Sequence, residues 1–440
     1  MQKSINVIGG GLAGCEAAYQ IAKRKINVNL YEMKPKKFSP IHKNKDLAEI
    51  VCSNSFKSNN ITNACGLLKE ELRMLDSMLI CVADTTSIPA GQALAVDRDV
   101  FAKKVTEEIK NNKYINVIEA EIGKDLPLEN LLDNITIISS GPLTSDNLVK
   151  EIIGLTGREK LRFFDAVAPI VTKESIDFNI AFYGERYGKG ENSYINLPMN
   201  KSEYENFYKE LIQAEVVNLH SFEKKEIFEG CMPIEIMAKR GEDTIRFGPL
   251  KPVGFIDPHI GKQPYAIVQL RQDNKEGTLY NIVGFQTNLK FKEQKRVFSL
   301  IPGLENVEIV RYGVMHANTY IDSPKLLYNT YKTRFNSNIY FAGQITGVEG
   351  YVESISSGLV AGINAANQFL GKEEIIFPRE TIIGALSDYI SSPKENFSPM
   401  NANFGILPEL NKKIKDKQER YKKYSNTAIE KLQKMVNLIK

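Results

Sequence analysis

Residues 7–18 read VIGGGLAGCEAA, and the reading of the fold starts from them. Residues 4–8 form a short apolar run of strand type, after which Gly9, Gly11 and Gly14 stand in the G-x-G-x-x-G spacing, with Gly10 inside it. Gly9 permits a tight turn, Gly11 lets a pyrophosphate approach the backbone, and Gly14 lets a helix lie close to the strand. A helix over 15–23 would direct Ala17, Ala18 and Ile21 inward and offer free N–H groups and its positive dipole end to phosphates. A second strand, 26–31, closes on Glu32, whose carboxylate can accept hydrogen bonds from ribose hydroxyls. The spacing predicts a nucleotide-binding strand–turn–helix–strand, the opening of a doubly wound α/β fold.

Further along, helical patterns are expected over 65–78 and 99–111, and a strand over 135–139. Residues 166–295 change texture to short alternating strands, many tyrosines and glycine turns, which predicts an inserted α+β domain. The chain then returns to the first pattern. Residues 339–366, IYFAGQITGVEGYVESISSGLVAGINAA, make a strand, a turn rich in glycine (Gly343, Gly347, Gly350) and a helix expected over 358–370. A second glycine segment of this form often closes a flavin site in proteins with such an opening, so FAD is expected rather than NAD. The expected cofactor-binding residues are Gly9, Gly10, Gly11, Gly14, Glu32, Arg98, Gly343, Gly347, Val348, Glu349 and Gly350. The fold class expected is α/β: a Rossmann-like FAD-binding domain in two parts (1–165 and 296–375), the insertion (166–295) and a helical basic C-terminal segment (376–440).

Composition narrows the function classes. With 440 residues and 42% hydrophobic content the chain is long enough for two or three domains. It has no run of eighteen apolar residues, so no membrane span is expected. Five scattered cysteines without a CxxC spacing, and four histidines well apart, argue against a disulfide scaffold or a metal site. The N-terminus runs straight into a strand, and a cytoplasmic location is the expectation. Residues 411–440 carry ten basic and three acidic side chains, net +7 against +4 for the whole chain. Such a segment suits a polyanion such as RNA, or equally a solvated helix with Ile414, Tyr421, Tyr424, Ile429, Leu432, Met435 and Leu438 as its apolar stripe.

Longer motifs are more specific than any glycine pattern. LAEIVCSNSFKS, SIPAGQALAVDRDVF, FEGCMPIEIMAKRG, IRFGPLKPVGF, VQLRQDN, YGVMHANTYIDSP, FAGQITGVEGYVES and NFSPMNANFGILPEL, with the opening segment, resemble the TrmFO family of folate- and FAD-dependent RNA (uracil-5-)-methyltransferases along nearly the whole chain. The resemblance implies methylenetetrahydrofolate as one-carbon donor, FAD as carrier and reductant, NAD(P)H to regenerate it, and RNA as substrate. Uracil C5 is a poor nucleophile until a thiolate adds at C6, so such an enzyme needs an activated cysteine and a base for the C5 proton. By the resemblance Cys231, in FEGCMPIE, is the C6 nucleophile, and Cys52, in IVCSNSF, is assigned to the proton. Cys15, Cys65 and Cys81 lie in apolar or helical patterns and are read as structural.

Lys251 and Arg271 are candidates for folate carboxylates or RNA phosphates, and His316 for folate or flavin. Asp97 and Arg98 are read as shaping the flavin site, or as a plain ion pair. Three motifs depart from the tRNA-enzyme pattern, at Gln92 (PAGQ), Leu197 (NLPM) and Ala317 (MHANT). Both tRNA and 23S rRNA therefore stand as expected targets. A wobble-uridine tRNA-modifying flavoprotein and a flavin oxidoreductase acting on a small molecule share the framework and remain alternatives.

Overall fold

The computed structural model describes residues 4–439, except 40, 158–160, 167, 189–192, 218–231, 275, 314, 395–396 and 411–413. For 161–166, 315–317 and 437–438 it describes the backbone alone. β1 (Ser4–Ile8), α1 (Leu12–Lys23) and β2 (Asn27–Glu32) form the expected unit. A five-stranded parallel sheet runs in the order Ile339–Phe341, Thr136–Ile138, β1, β2, Ile115–Glu119. Its central strand is buried on both faces, Ile5 and Val7 on one and Asn6 and Ile8 on the other, and Asn6 donates to the Leu131 carbonyl at 3.2 Å. Ile5 and Val7 are fully buried.

The helix of the second glycine segment runs over Tyr351–Phe369, seven residues earlier than the sequence predicts. Gly358 lies within it rather than at its start. A Cβ there would drive into the carbonyl of Ala13, and one at Gly362 would lie 2.8 Å from Ala17 Cα. These glycines let the helix pack backbone to backbone on α1. The predicted 65–78 helix is two, Ala64–Met74 and Met78–Thr85, because Asp76 takes a positive φ and Ser77 caps the second.

The insertion is a six-stranded sheet with its own apolar core, in the order Phe182–Tyr183, Tyr194–Met199, Ala266–Gln272, Leu279–Ile282, Ile170–Thr172, Ile309–Arg311. The boundary expected at 295 is corrected by this. It would cut the helix Phe291–Phe298, whose Val297 and Phe298 are buried in the insertion core together with Ile301, Leu304 and Val307. The two crossings between domains, Leu161–Ala166 and Met315–Tyr320, pair with each other as an antiparallel ribbon.

The C-terminal segment is helical as expected, but it is no separate unit. In the helix Lys417–Ile439, Ala428, Leu432 and Ile439 belong to the main core. Ser425 donates to the Ile61 carbonyl at 2.6 Å. Tyr421 and Tyr424 pack on Phe404, and Lys415, Lys417, Lys422 and Lys423 face solvent. No helix among the described residues is long and apolar enough to cross a membrane.

Candidate functional site

The C-terminal ends of four parallel strands open onto one cavity of about 430 Å³, the position where doubly wound sheets bind ligands. Gly9 follows β1, Glu32 ends β2, Ser139 follows Thr136–Ile138, and Gly343 follows Ile339–Phe341; all four line it. The glycines differ in what they do. Gly9 has φ +102°, and a Cβ there would lie 2.6 Å from the Ser139 carbonyl oxygen. A Cβ on Gly14 would strike the Gly9 carbonyl, whereas one on Gly11 would meet nothing within 4 Å. Gly9 and Gly14 therefore serve the turn and the packing, and Gly11 leaves space for a ligand. The Gly10 N–H donates to Glu32 Oε2 at 2.8 Å and the Lys34 N–H to Oε1 at 2.9 Å. Each oxygen keeps acceptor capacity for a hydroxyl. This cradle fits the pyrophosphate and ribose of a dinucleotide.

The second glycine segment forms the facing wall. Gly343, Gln344, Glu349, Gly350 and Tyr351 line the cavity, and Gly350 (φ +122°) precedes the first turn of Tyr351–Phe369. Gly347 and Val348, expected at the cofactor, are not among the lining residues. Val348 is fully buried, and the Phe397 ring would be 2.5 Å from a Cβ on Gly347. Backbone bonds from Glu349 N to Met400 O and from Met400 N to Gly347 O, both 2.8 Å, pin this turn from behind.

Half-buried Cys52 lies on the same cavity. The Tyr351 hydroxyl accepts from the N–H groups of Cys52 at 2.9 Å and Ser53 at 3.0 Å. Burial first, and then Cys52 beside it, pushes the Tyr351 phenol above its ordinary range. The insertion domain holds the other side of this loop. Arg271 donates to Ser53 Oγ at 2.6 Å and to Asn54 Oδ1 at 3.1 Å, and Asn54 donates to the Gln272 carbonyl at 2.9 Å. Arg271 lines the cavity as expected of a ligand contact, and burial lowers its guanidinium pKa.

Arg98 takes the second of its two expected readings, an ion pair, and not the cofactor contact. Its Nε and Nη2 reach the Asp273 carboxylate at 3.0–3.1 Å and its Nη1 the Ile50 carbonyl at 3.0 Å, and it is not among the lining residues. Burial alone would lower it, but Asp273 holds this guanidinium above its usual range. Asp97 caps the helix Arg98–Lys110 through the N–H groups of Asp99 and Val100. The pair thus ties the insertion to the Cys52 loop from outside the cavity.

Of the remaining candidates, Lys251 is exposed and away from the cavity lining, and Cys231 lies outside the described residues. For His316 only the backbone is described, paired with Asp165. Sequence reading missed Tyr351, Asn54, Asp273 and Asn318. All four stand inside quoted motifs, but no spacing tells where their side chains point. Asn318 lines the cavity fully buried, and neither its Oδ1 nor its Nδ2 has a hydrogen-bond partner. A buried amide with both needs unmet is what a ligand with its own donors and acceptors completes.

Fold and cradle together define a dinucleotide-binding protein of the GidA type. Residues 4–373 match the family model described as glucose inhibited division protein A. GidA of Aquifex aeolicus superposes with a TM-score of 0.72 at 18% identity, over 100% of this chain and 74% of that one, a likeness of fold. Methylenetetrahydrofolate–tRNA-(uracil-5-)-methyltransferase TrmFO of Acetivibrio thermocellus is 60% identical over 98% of each chain. That of Bacillus pumilus is 57% identical over 98% of this chain and 99% of its own. The chain belongs to the TrmFO family.

Proposed function

We propose that this protein transfers a one-carbon unit from methylenetetrahydrofolate to C5 of a uridine in tRNA, with FAD in the glycine cradle and NAD(P)H as reductant. One observation carries the reading: Cys52, the Gly9–Gly11 turn and the wall Gly343–Tyr351 share a single cavity. When bound, FAD supplies hydride and relays the one-carbon unit. Gly11 and the N-terminus of α1 would receive the pyrophosphate, Glu32 a ribose, and Asn318 a further polar group at the cavity wall.

The rest of the chemistry belongs to protein groups. The Cys231 thiolate adds to uracil C6, and the displaced electron pair makes C5 nucleophilic. After C5 has bonded to the one-carbon unit, the C5 proton passes to Cys52. Loss of that proton expels the carrier from the one-carbon unit and leaves a methylene on C5. Hydride added there, which bound FAD would supply, makes the methyl group and expels the Cys231 thiolate from C6, restoring the ring. Tyr351 and Arg271 hold the Cys52 loop for that proton transfer. The names of the 55–60% identical relatives support tRNA as the target. Two of the three sequence departures do not oppose it. Leu197 is fully buried in the insertion core, and Gln92 is exposed on a turn outside the cavity lining.

The test is methylation of a T-arm tRNA transcript and of a 23S rRNA fragment, each with methylenetetrahydrofolate and NADPH. The tRNA is expected to be methylated, and transfer to the rRNA alone would overturn the target. Cys231→Ala is expected to abolish methylation while the flavin is still reduced by NADPH; persistent methylation would remove Cys231 from the nucleophile's role.

A further inference from the structure

Residues 248–265 join the helix Glu242–Phe247 to the strand Ala266–Gln272 without forming a helix or strand. They are nevertheless fixed. Leu250 and Phe255 are buried, Leu250 N donates to Ile245 O at 2.9 Å, and Ile267 N to Leu250 O at 3.0 Å. Tyr187 N donates to the Gly254 carbonyl at 2.7 Å and Arg186 to that of Val253 at 3.0 Å. Gly254 has φ +87° and the Tyr187 ring against it, so a side chain fits there in neither conformation nor space.

This anchored loop shows apolar side chains to solvent. Phe247 is 60% exposed, Ile256 62%, Ile260 60% and neighbouring Tyr187 67%. Grouped exposed apolar side chains on a fixed surface mark an interaction site. The loop itself is basic, whereas the helix before it carries Glu242 and Asp243, both exposed. Between Arg246 and Tyr265 the single carboxylate is Asp257, buried and accepting the His259 N–H at 2.9 Å, whereas Lys251 and Lys262 are exposed. Arg246 is matched by Asp243 at 2.6 Å and stacks on Phe247 at 4.4 Å, so it extends the flat surface.

The loop also stands next to the cavity. A Cβ on Gly284 would lie 2.5 Å from Pro249 Cβ, and Gln286, two residues on, lines the cavity. Gln286 accepts the Ile234 N–H at 2.7 Å, three residues after Cys231.

We infer that this loop, with Tyr187, is a docking platform for the RNA substrate, stacking unpaired bases on Phe247 and Tyr187 with Ile256 and Ile260 in apolar contact beside them, while Lys251 and Lys262 meet phosphates. Exposed aromatic rings beside lysines, on a loop whose one carboxylate is buried, suit single-stranded nucleic acid. The inference rests on the reading of the substrate as RNA.

The test measures binding of a fluorescent T-arm hairpin to the FAD-loaded protein by anisotropy, at two salt concentrations. A triple variant, Phe247→Ala, Ile256→Ser and Ile260→Ser, is expected to bind roughly tenfold more weakly with an unchanged salt slope. Lys251→Glu with Lys262→Glu is expected to reduce the salt slope by about 2. FAD content and flavin absorbance should match the parent in both, which separates lost docking from lost folding. Parent-like RNA affinity and salt dependence in both variants would overturn the platform. So would unchanged RNA affinity in a triple variant that sediments as a smaller species, since the patch would then join copies of the chain. If the parent protein binds no RNA, the functional reading itself fails.

Discussion

At the scale of single residues, the site is built from groups held by neighbouring backbone and side-chain atoms, with two exceptions among the described lining residues, Asn318 and Glu353 Oε2. Glu32 is engaged by Gly10 and Lys34, Arg98 by Asp273, and Arg271 by Ser53 and Asn54. Asn318 alone among the buried cavity-lining amides has both atoms without a partner. Leaving a buried polar group unmet costs about 1–3 kcal/mol, so the residue weakens the ligand-free fold. Asn318→Leu is therefore expected to leave the ligand-free protein as stable or about 1 kcal/mol more stable in urea unfolding, and to weaken FAD binding roughly tenfold by flavin fluorescence. Unchanged FAD affinity would place Asn318 outside the flavin contacts. The glycine spacing was legible at this scale, since Gly9 makes the turn and Gly14 the close packing that their pattern predicts. Arg98 was not legible as a positioning residue, because Asp273 lies 175 positions away in the chain.

At the scale of elements, helix ends are where the fold holds carboxylates it uses structurally. Glu71, fully buried on Ala64–Met74, accepts the N–H groups of Ile382 at 2.8 Å and Ile383 at 2.9 Å and so caps the helix Ile382–Ser391 from outside. Burial outweighs those two bonds and pushes its carboxyl up to about 8. A folded-state pKa above the ordinary glutamate range means that the native state binds the proton more tightly. The stabilisation is complete below that ordinary range and is lost as pH rises to about 8. Thermal unfolding is expected to show a Tm that falls from pH 5 toward pH 8, with a flatter profile in Glu71→Gln; equal slopes in the two proteins would count against it. Nothing in the local sequence marks Glu71, which sits in an ordinary amphipathic pattern. The same holds for the start of Tyr351–Phe369, where Gly358 reads as the first residue of the helix until α1 is seen against it.

At the scale of the molecule, two cores meet at the Cys52 loop. The parallel-sheet core carries the cradle, and the insertion supplies Arg271, Gln272 and Asp273 to hold residues 50–54. The basic C-terminal helix completes the first core rather than trailing from it. Deleting residues 417–440 is expected to lower the Tm by several degrees as well as change RNA affinity, because Ala428, Leu432 and Ile439 leave the core. A freely solvated tail would lose RNA affinity at unchanged Tm, and calorimetry on the truncated protein separates the two.

By itself the sequence determined the local conformations that depend on few neighbours. The glycine turn, the first helix, the acidic end of β2 and the amphipathic C-terminal stripe all follow from spacing, steric freedom and periodicity. Long motifs determined the family. The tertiary structure alone decided which of the named residues meet: Cys52 with Tyr351 and Arg271, Arg98 with Asp273, and the two glycine helices in backbone contact. It also placed Gly347 and Val348 behind the cavity and extended the insertion past residue 295. Such contacts join residues tens to hundreds of positions apart, so they depend on how helices and sheets pack, and a periodic pattern contains no record of that.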